Sequence, residues 1–156
     1  MQIDYLAHHD YFVTELARWH FAQWSHLWSG DTVEARTKRL RQRCGSGGLP
    51  SVFVAFDGPA LFGSATLVQY DFSDRPNLEA WLINLYVTPS MRRQGIGAAL
   101  VSAVTNEARR SKVSRLCLHT ASAEQYYERR GWTVLHRLHG RGELQTVMTL
   151  DLVPSK

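Results

Sequence analysis

Cysteine is scarce. Cys44 and Cys117 are the two in the chain, and they lie far apart in different contexts. Cys44 ends a basic helical stretch, whereas Cys117 sits inside Arg115-Leu116-Cys117-Leu118, which reads as a buried strand. Two thiols so placed do not make a disulfide framework. Zinc-type spacing of Cys and His is also lacking. The histidines His8, His9, His20, His26, His119, His136 and His139 offer no i,i+4 ligand pair on one expected helix, so no metal is expected. Long apolar runs are missing too. The best, residues 80–87, is strand-sized, well short of the about 20 residues a membrane helix needs, so no membrane partner is expected. The start, Met1-Gln2-Ile3-Asp4-Tyr5, has neither the basic nor the apolar region of a secretory signal, which makes the cytoplasm the expected location. No internal repeat, low-complexity tract or long linker is visible.

What remains suits one folded domain over residues 1–156. Apolar residues make up 44% and charged residues 21%, enough for a real core. The net charge of +4 favours an anionic partner without choosing one. Residues 10–28 place Tyr11, Phe12, Leu16, Trp19, Trp24 and Leu27 at helical spacing, with Asp10 as N-cap and Gly30 as stop. A second helix is expected from Asp31, where Glu34 completes a capping-box-like pattern, through Leu40 towards Cys44. Gly45-Ser46-Gly47-Gly48 breaks it. Strands are expected at 51–56 and 61–70, joined as a hairpin across Asp57-Gly58-Pro59, and at 80–87. A helix follows over 97–110, a strand over 113–119, and a short helix over 121–130 stopped by Gly131. Two last strands, 132–138 and 144–152, should pair across Gly140-Arg141-Gly142. With a short strand at 2–6 the order is (β)ααβββαβαββ. That is an α/β fold with a mixed central sheet flanked by helices.

The chemistry concentrates in Arg92-Arg93-Gln94-Gly95-Ile96-Gly97, where a buried strand runs into a loop that opens a helix. The first turn of a helix leaves backbone N–H groups unpaired, and its dipole favours an anion there. Gly95 and Gly97 carry no Cβ, so a diphosphate can approach the backbone closely. Arg92 and Arg93 add fixed positive charge. The run is neither a Walker loop nor a dinucleotide fingerprint, because the Gly-Lys-Ser/Thr and the third glycine are missing.

Arg92-x-x-Gly95-x-Gly97, after the run Leu85-Tyr86-Val87-x-Pro89, resembles the acetyl-CoA motif of the GNAT N-acetyltransferases. Downstream, Ala123-x-x-Tyr126-Tyr127-Glu128-Arg129-Arg130-Gly131-Trp132 resembles that family's C-terminal motif. The likeness covers residues 50–150 in element order. It implies a GNAT-type fold, with acetyl-CoA as the acetyl donor bound by the core 50–152 and N-terminal helices (1–48) on the acceptor side. Backbone groups of Leu85, Tyr86 and Val87 would then meet the pantetheine arm. The pyrophosphate would lie on N–H groups of Arg93, Gln94, Gly95, Ile96, Gly97 and Ala98, with the Arg92 and Arg93 side chains assisting. Tyr127 matches the family tyrosine near the cofactor sulfur, and Tyr126 is expected to face the core. Thr120 stands where the family often has Asn, and its hydroxyl would serve the cofactor. Arg130 stands where an apolar residue is usual.

Transfer of acetyl to an amine needs a neutral nitrogen. A lysine-like amine with pKa about 10.4 is neutral in roughly one molecule per few thousand at pH 7, so a base or a water chain should help. Glu79, just before the central strand, is the candidate by position, with Asp71 and Asp74 as others. The backbone N–H of Val87 is the expected oxyanion donor. The acceptor is expected to be a primary amine of a small molecule or peptide. Family members commonly dimerise, which makes a homodimer an expectation without an identified interface. Two alternatives stand beside this reading. One is a non-catalytic acyl-CoA sensor, which would need no Tyr127. The other is a nucleic-acid module using the arginines at 36–43, 92–93 and 109–115, though no nucleic-acid motif or stacking platform accompanies them.

Overall fold

Among the described residues the strands form one seven-stranded sheet with helices on both faces. The computed structural model of the chain describes residues 1–69, 79–140 and 142–152. The expected Asp71 and Asp74 carboxylates and the Arg141 turn residue lie outside them. In chain order the elements are β1 (Gln2–Tyr5), α1 (Val13–Trp24), α2 (Val33–Gln42), β2 (Ser51–Asp57), β3 (Ala60–Val68), β4 (Glu79–Val87), α3 (Ile96–Arg110), β5 (Arg115–Thr120), α4 (Glu124–Glu128), β6 (Thr133–Gly140) and β7 (Glu143–Asp151). The sheet order is β1-β2-β3-β4-β5-β7-β6. Every pairing is antiparallel except β4 with β5, which is parallel.

The sheet separates two cores. On one face α3 lays Ile96, Leu100, Val104 and Ala108, one helical stripe, onto Ala65, Leu67, Ala80, Leu82 and Leu116. On the other, Val13, Leu16 and Ala17 of α1 and Leu40 of α2 cover Val52, Val54 and Phe56 of β2. Leu100 and Leu116 are fully buried, so truncating either to Ala should cost about 2–5 kcal/mol through lost burial and a residual cavity. Tyr5 at the end of β1 donates a hydrogen bond to Glu107 of α3, tying the sheet's first strand to that helix.

Three local expectations change. The first helix is shorter than expected, because 3-10 turns occupy Asp10–Phe12 and Ser25–Leu27 at its ends. Asp31 is not a cap. Thr32 caps α2 by accepting the Ala35 N–H at 3.0 Å, while the buried Asp31 carboxylate receives Arg36 at 2.7 Å and Arg39 at 3.3 Å. A pair of arginines on one buried carboxylate leaves less free charge on α2 than the sequence suggests. The third change concerns α4, which begins only at Glu124. Thr120 Oγ1 accepts the Ala123 N–H at 3.0 Å and the Ser122 N–H at 3.4 Å, holding those residues in a turn before the helix starts.

Candidate functional site

The site is built where β4 leaves its neighbour. β4 pairs with β5 only through Glu79, Ala80 and Trp81, opposite Arg115, Leu116 and Cys117. From Leu82 to Val87 it pairs with β3 alone, so a wedge opens between β4 and β5. Within that stretch β4 carries a bulge: Ser64 opposes Tyr86 but Thr66 opposes Ile83, so Asn84 and Leu85 together face Ala65. Asn84 takes a left-handed backbone, with φ 53°. The extra residue reverses the alternation of side chains. Before it, Ala80 and Leu82 face α3; after it, Leu85 and Val87 do. Tyr86 is thereby turned to the opposite face, with its ring 5.7 Å from Trp19 and 6.0 Å from Trp24.

Backbone direction follows from the ladder. The Thr88 N–H donates to the Phe62 carbonyl at 2.9 Å. In an antiparallel ladder the next residue directs its groups the other way. Val87 therefore turns its N–H and C=O towards the wedge, and two residues earlier Leu85 does the same. The expected pantetheine-binding strand thus turns the edge groups of Leu85 and Val87 to the wedge, where Arg92 already takes the Val87 carbonyl, while those of Tyr86 face β3.

Beyond the wedge the chain makes a 3-10 turn, Pro89–Met91, and enters α3 through Gly95. Gly95 has φ 82°, a conformation other residues rarely adopt, and caps the helix without any side-chain bond. The first helical bond runs from the Ala99 N–H to the Gly95 carbonyl, at 3.0 Å. The N–H groups of Ile96, Gly97 and Ala98 thus have no acceptor within the helix. A Cβ on Gly95 would meet nothing within 4 Å, and one on Gly97 would meet only Val87 Cγ2 at 3.9 Å. Packing does not require glycine at 97. Its bareness leaves the helix end uncovered by any side chain at that position. Arg92, Arg93 and Gln94 are exposed around it. Arg92 is aimed by its Nε, which donates to the Val87 carbonyl at 2.8 Å, and its guanidinium lies 5.6 Å from the Tyr86 ring centre.

Of the two tyrosines of α4, the one set more deeply in the core is Tyr127, not Tyr126 as expected. Tyr127 is the buried one, 7% exposed, packed edge-on to Trp132 with ring centres 5.7 Å apart. Burial, reinforced by Tyr126 and opposed by Arg130, pushes its phenol up to about 12. Tyr126 is half-buried beneath Arg130, whose guanidinium lies 3.6 Å from the ring centre. That stacking explains the charged residue at 130: it covers Tyr126 and also donates to the Tyr126 carbonyl at 3.0 Å. Glu124 holds α4 to the β7-β6 end of the sheet through Arg137 of β6 and Thr146 of β7.

The structure does not bring Glu79 to the wedge. It begins β4, opposite Arg115, whose Nε lies 3.4 Å from its carboxylate. Leu85 is six residues further along the strand, about 20 Å at roughly 3.3 Å per residue. Thr120 ends β5 near the wedge, with its oxygen already accepting from its own turn. Among the described residues no group of three or more His, Cys, Asp or Glu could hold a metal ion, and no helix is long and apolar enough to cross a membrane. Sequence reasoning missed Asn84, Ser64 and His20. The available signal was Asn84 itself, a residue that strands disfavour, inside an otherwise apolar run.

Residues 13–132 match the model of the acetyltransferase (GNAT) family. Comparison with curated protein sequences returned no match. Among solved structures, an aminoglycoside 6'-N-acetyltransferase complexed with coenzyme A is similar over 100% of this chain and 99% of its own, with TM-score 0.80 and 17% identity. The structure of yncA from Salmonella typhimurium, described with its cofactor acetyl-CoA, is similar over 99% of this chain and 95% of its own, with TM-score 0.76 and 20% identity. A ribosomal-protein-alanine N-acetyltransferase from Brucella melitensis is similar over 97% of this chain and 100% of its own, with TM-score 0.74 and 19% identity. At these identities the likeness is one of fold, and it agrees with the family match: the wedge between β4 and β5 and the glycine-opened end of α3 belong to a member of the acetyltransferase (GNAT) family.

Proposed function

We propose that this chain transfers an acetyl group from acetyl-CoA to a primary amine of a small molecule or peptide, by direct attack of the amine. The observation that carries the reading is the continuity of the wedge with the helix end. Strand-edge groups of Leu85 and the Val87 N–H lead straight into N–H groups at Ile96, Gly97 and Ala98 that have no acceptor within the helix. An amide-bearing arm ending in a diphosphate is complementary to that series. Arg92 and Arg93 flank the diphosphate end, and Gly97 leaves it room.

When bound, the thioester supplies an activated acetyl group and a thiolate leaving group. Tyr127 is assigned to that thiolate. Its phenol, at about 12, is neutral at pH 7 and holds its proton more tightly than a thiol with pKa about 8.5 does. It therefore acts as a hydrogen-bond donor to the departing sulfur, and the thiol proton is finally supplied from solvent. Glu79 is given a structural part, holding Arg115 where β4 and β5 still pair, and the amine loses its proton to water. Residues 1–48 wall the acceptor side, where Trp19, Trp24 and Tyr86 present half-buried aromatic rings. The bound state of Arg36 and Arg39 on Asp31 counts against a nucleic-acid surface on α2.

Calorimetry of the chain with acetyl-CoA, followed by thiol release with polyamines, aminoglycosides, amino acids and N-terminal peptides, tests the reading. Saturable binding and amine-dependent thiol release are expected. Absence of binding sinks it, and binding without release against every amine favours the acyl-CoA sensor.

A further inference from the structure

Asn84 needs a reason to hold its left-handed backbone, and the residues packed over it supply one. On β3, Ser64 is fully buried, and its hydroxyl lies 3.5 Å from the Asn84 carbonyl. From α1, His20, 1% exposed, reaches the same hydroxyl with Nε2 at 3.0 Å. A hydroxyl has one proton to give. With Ser64 donating to the Asn84 carbonyl, His20 must be the donor to Ser64, which makes it the neutral tautomer protonated at Nε2. Burial, with Arg36 and Arg43 adding repulsion, lowers its pKa to about 3 and keeps it neutral. The chain of bonds then runs one way: His20 to Ser64 to the carbonyl of Asn84.

A trans peptide points its C=O and the following N–H in opposite directions. Turning the Asn84 carbonyl towards Ser64 sends the Leu85 N–H away from β3, into the wedge. We propose that His20 and Ser64 are positioning residues, which fix the Asn84–Leu85 peptide plane so that the Leu85 N–H faces the oxygen of the acetyl thioester. This rests on the acetyl-transfer reading above. That oxygen gains negative charge as the amine attacks, and a donor already aimed at it helps most at that moment. Neither side chain touches a reacting atom; both act through the peptide. The assignment moves the oxyanion donor from Val87 to Leu85. Val87 lies beside the diphosphate cradle, its carbonyl engaged by Arg92, whereas the pantetheine arm carries the thioester further back along β4.

The variants Ser64→Ala and His20→Phe test the pair, and His20→Gln restores a donor of similar reach. The first two are expected to lower kcat about ten-fold or more with Kd for acetyl-CoA within about two-fold of wild type, and the third to recover kcat to within about three-fold. A second readout is independent of turnover. In 15N-labelled protein the Leu85 amide proton should shift downfield with acetyl-CoA relative to CoA in wild type, and not in Ser64→Ala, while His20 should show the Nε2–H tautomer. Unchanged kcat in both variants, parallel loss of kcat and affinity, an equal Leu85 shift in Ser64→Ala, or an Nδ1–H tautomer would each overturn the proposal. Wild type that binds no acetyl-CoA removes the acetyl-transfer reading and this one together. Wild type that binds and turns over beside an unaffected Ser64→Ala removes only the positioning pair.

Discussion

The two edges of β4 are paired very unequally. Along β3 the strand is paired from Trp81 to Val87, with one bulge. Along β5 it is paired for three residues and then parts. The closed edge carries the stabilising contacts, buried Ser64 and Leu67 among them. The open edge leaves backbone groups without a strand to receive them. Unpaired strand groups in the middle of a sheet are costly unless something else binds them, which is why we place the ligand at the open edge.

That contrast can be tested from its most sensitive point outward. Gly97→Trp should abolish acetyl-CoA binding, weakening Kd by about 100-fold or more, which is roughly 2.7 kcal/mol. The melting temperature should change little, because a Cβ at 97 meets only Val87 Cγ2, at 3.9 Å, and the helix end is exposed beyond it. Unchanged affinity by calorimetry would place the diphosphate elsewhere. Next comes Tyr127→Phe, for which kcat should fall about 10- to 100-fold with Kd for acetyl-CoA preserved. Thiol release at full rate would remove the tyrosine from the reaction.

The closed edge has its own signature, in stability against pH. His20 is held near 3 in the folded chain against 6.5 when free. Between those values the unfolded chain binds a proton that the folded chain refuses. Stability should therefore rise with pH across that window and level off above 6.5. The His20 share is at most about 1.4 kcal/mol per pH unit, and His20→Gln should lose it in denaturant titrations at stepped pH. Equal slopes in the two proteins would mean that His20 is not buried as described. The smallest effect is expected where β4 and β5 still pair. Glu79→Gln should leave kcat within about three-fold, because the carboxylate serves Arg115 and not the amine. A loss of 100-fold would restore Glu79 as the base.

Much of this was legible in the residues. Apolar periodicity located each strand and helix to within a few positions, and Arg92, Gly95 and Gly97 marked the helix end. What escaped depended on partners distant in sequence. Asn84 looks like an interruption until Ser64 and His20, 20 and 64 residues away, are brought over it. Asp31 looks like a cap because its partners, Arg36 and Arg39, also serve as ordinary helix-surface residues. Tyr126 and Tyr127 stand side by side, and the core that α4 packs on, which their adjacency does not show, decides that Tyr127 is the more deeply buried. A pattern shows that a helix exists; what it packs against decides which of its side chains are buried.

The bulge at Asn84 has one more consequence. By turning Tyr86 to the α1 face while Leu85 and Val87 stay on the α3 face, it makes the wedge a window in a partition. Donor and acceptor can each occupy a separate room and meet only at the sill. Either room can then be refurnished alone.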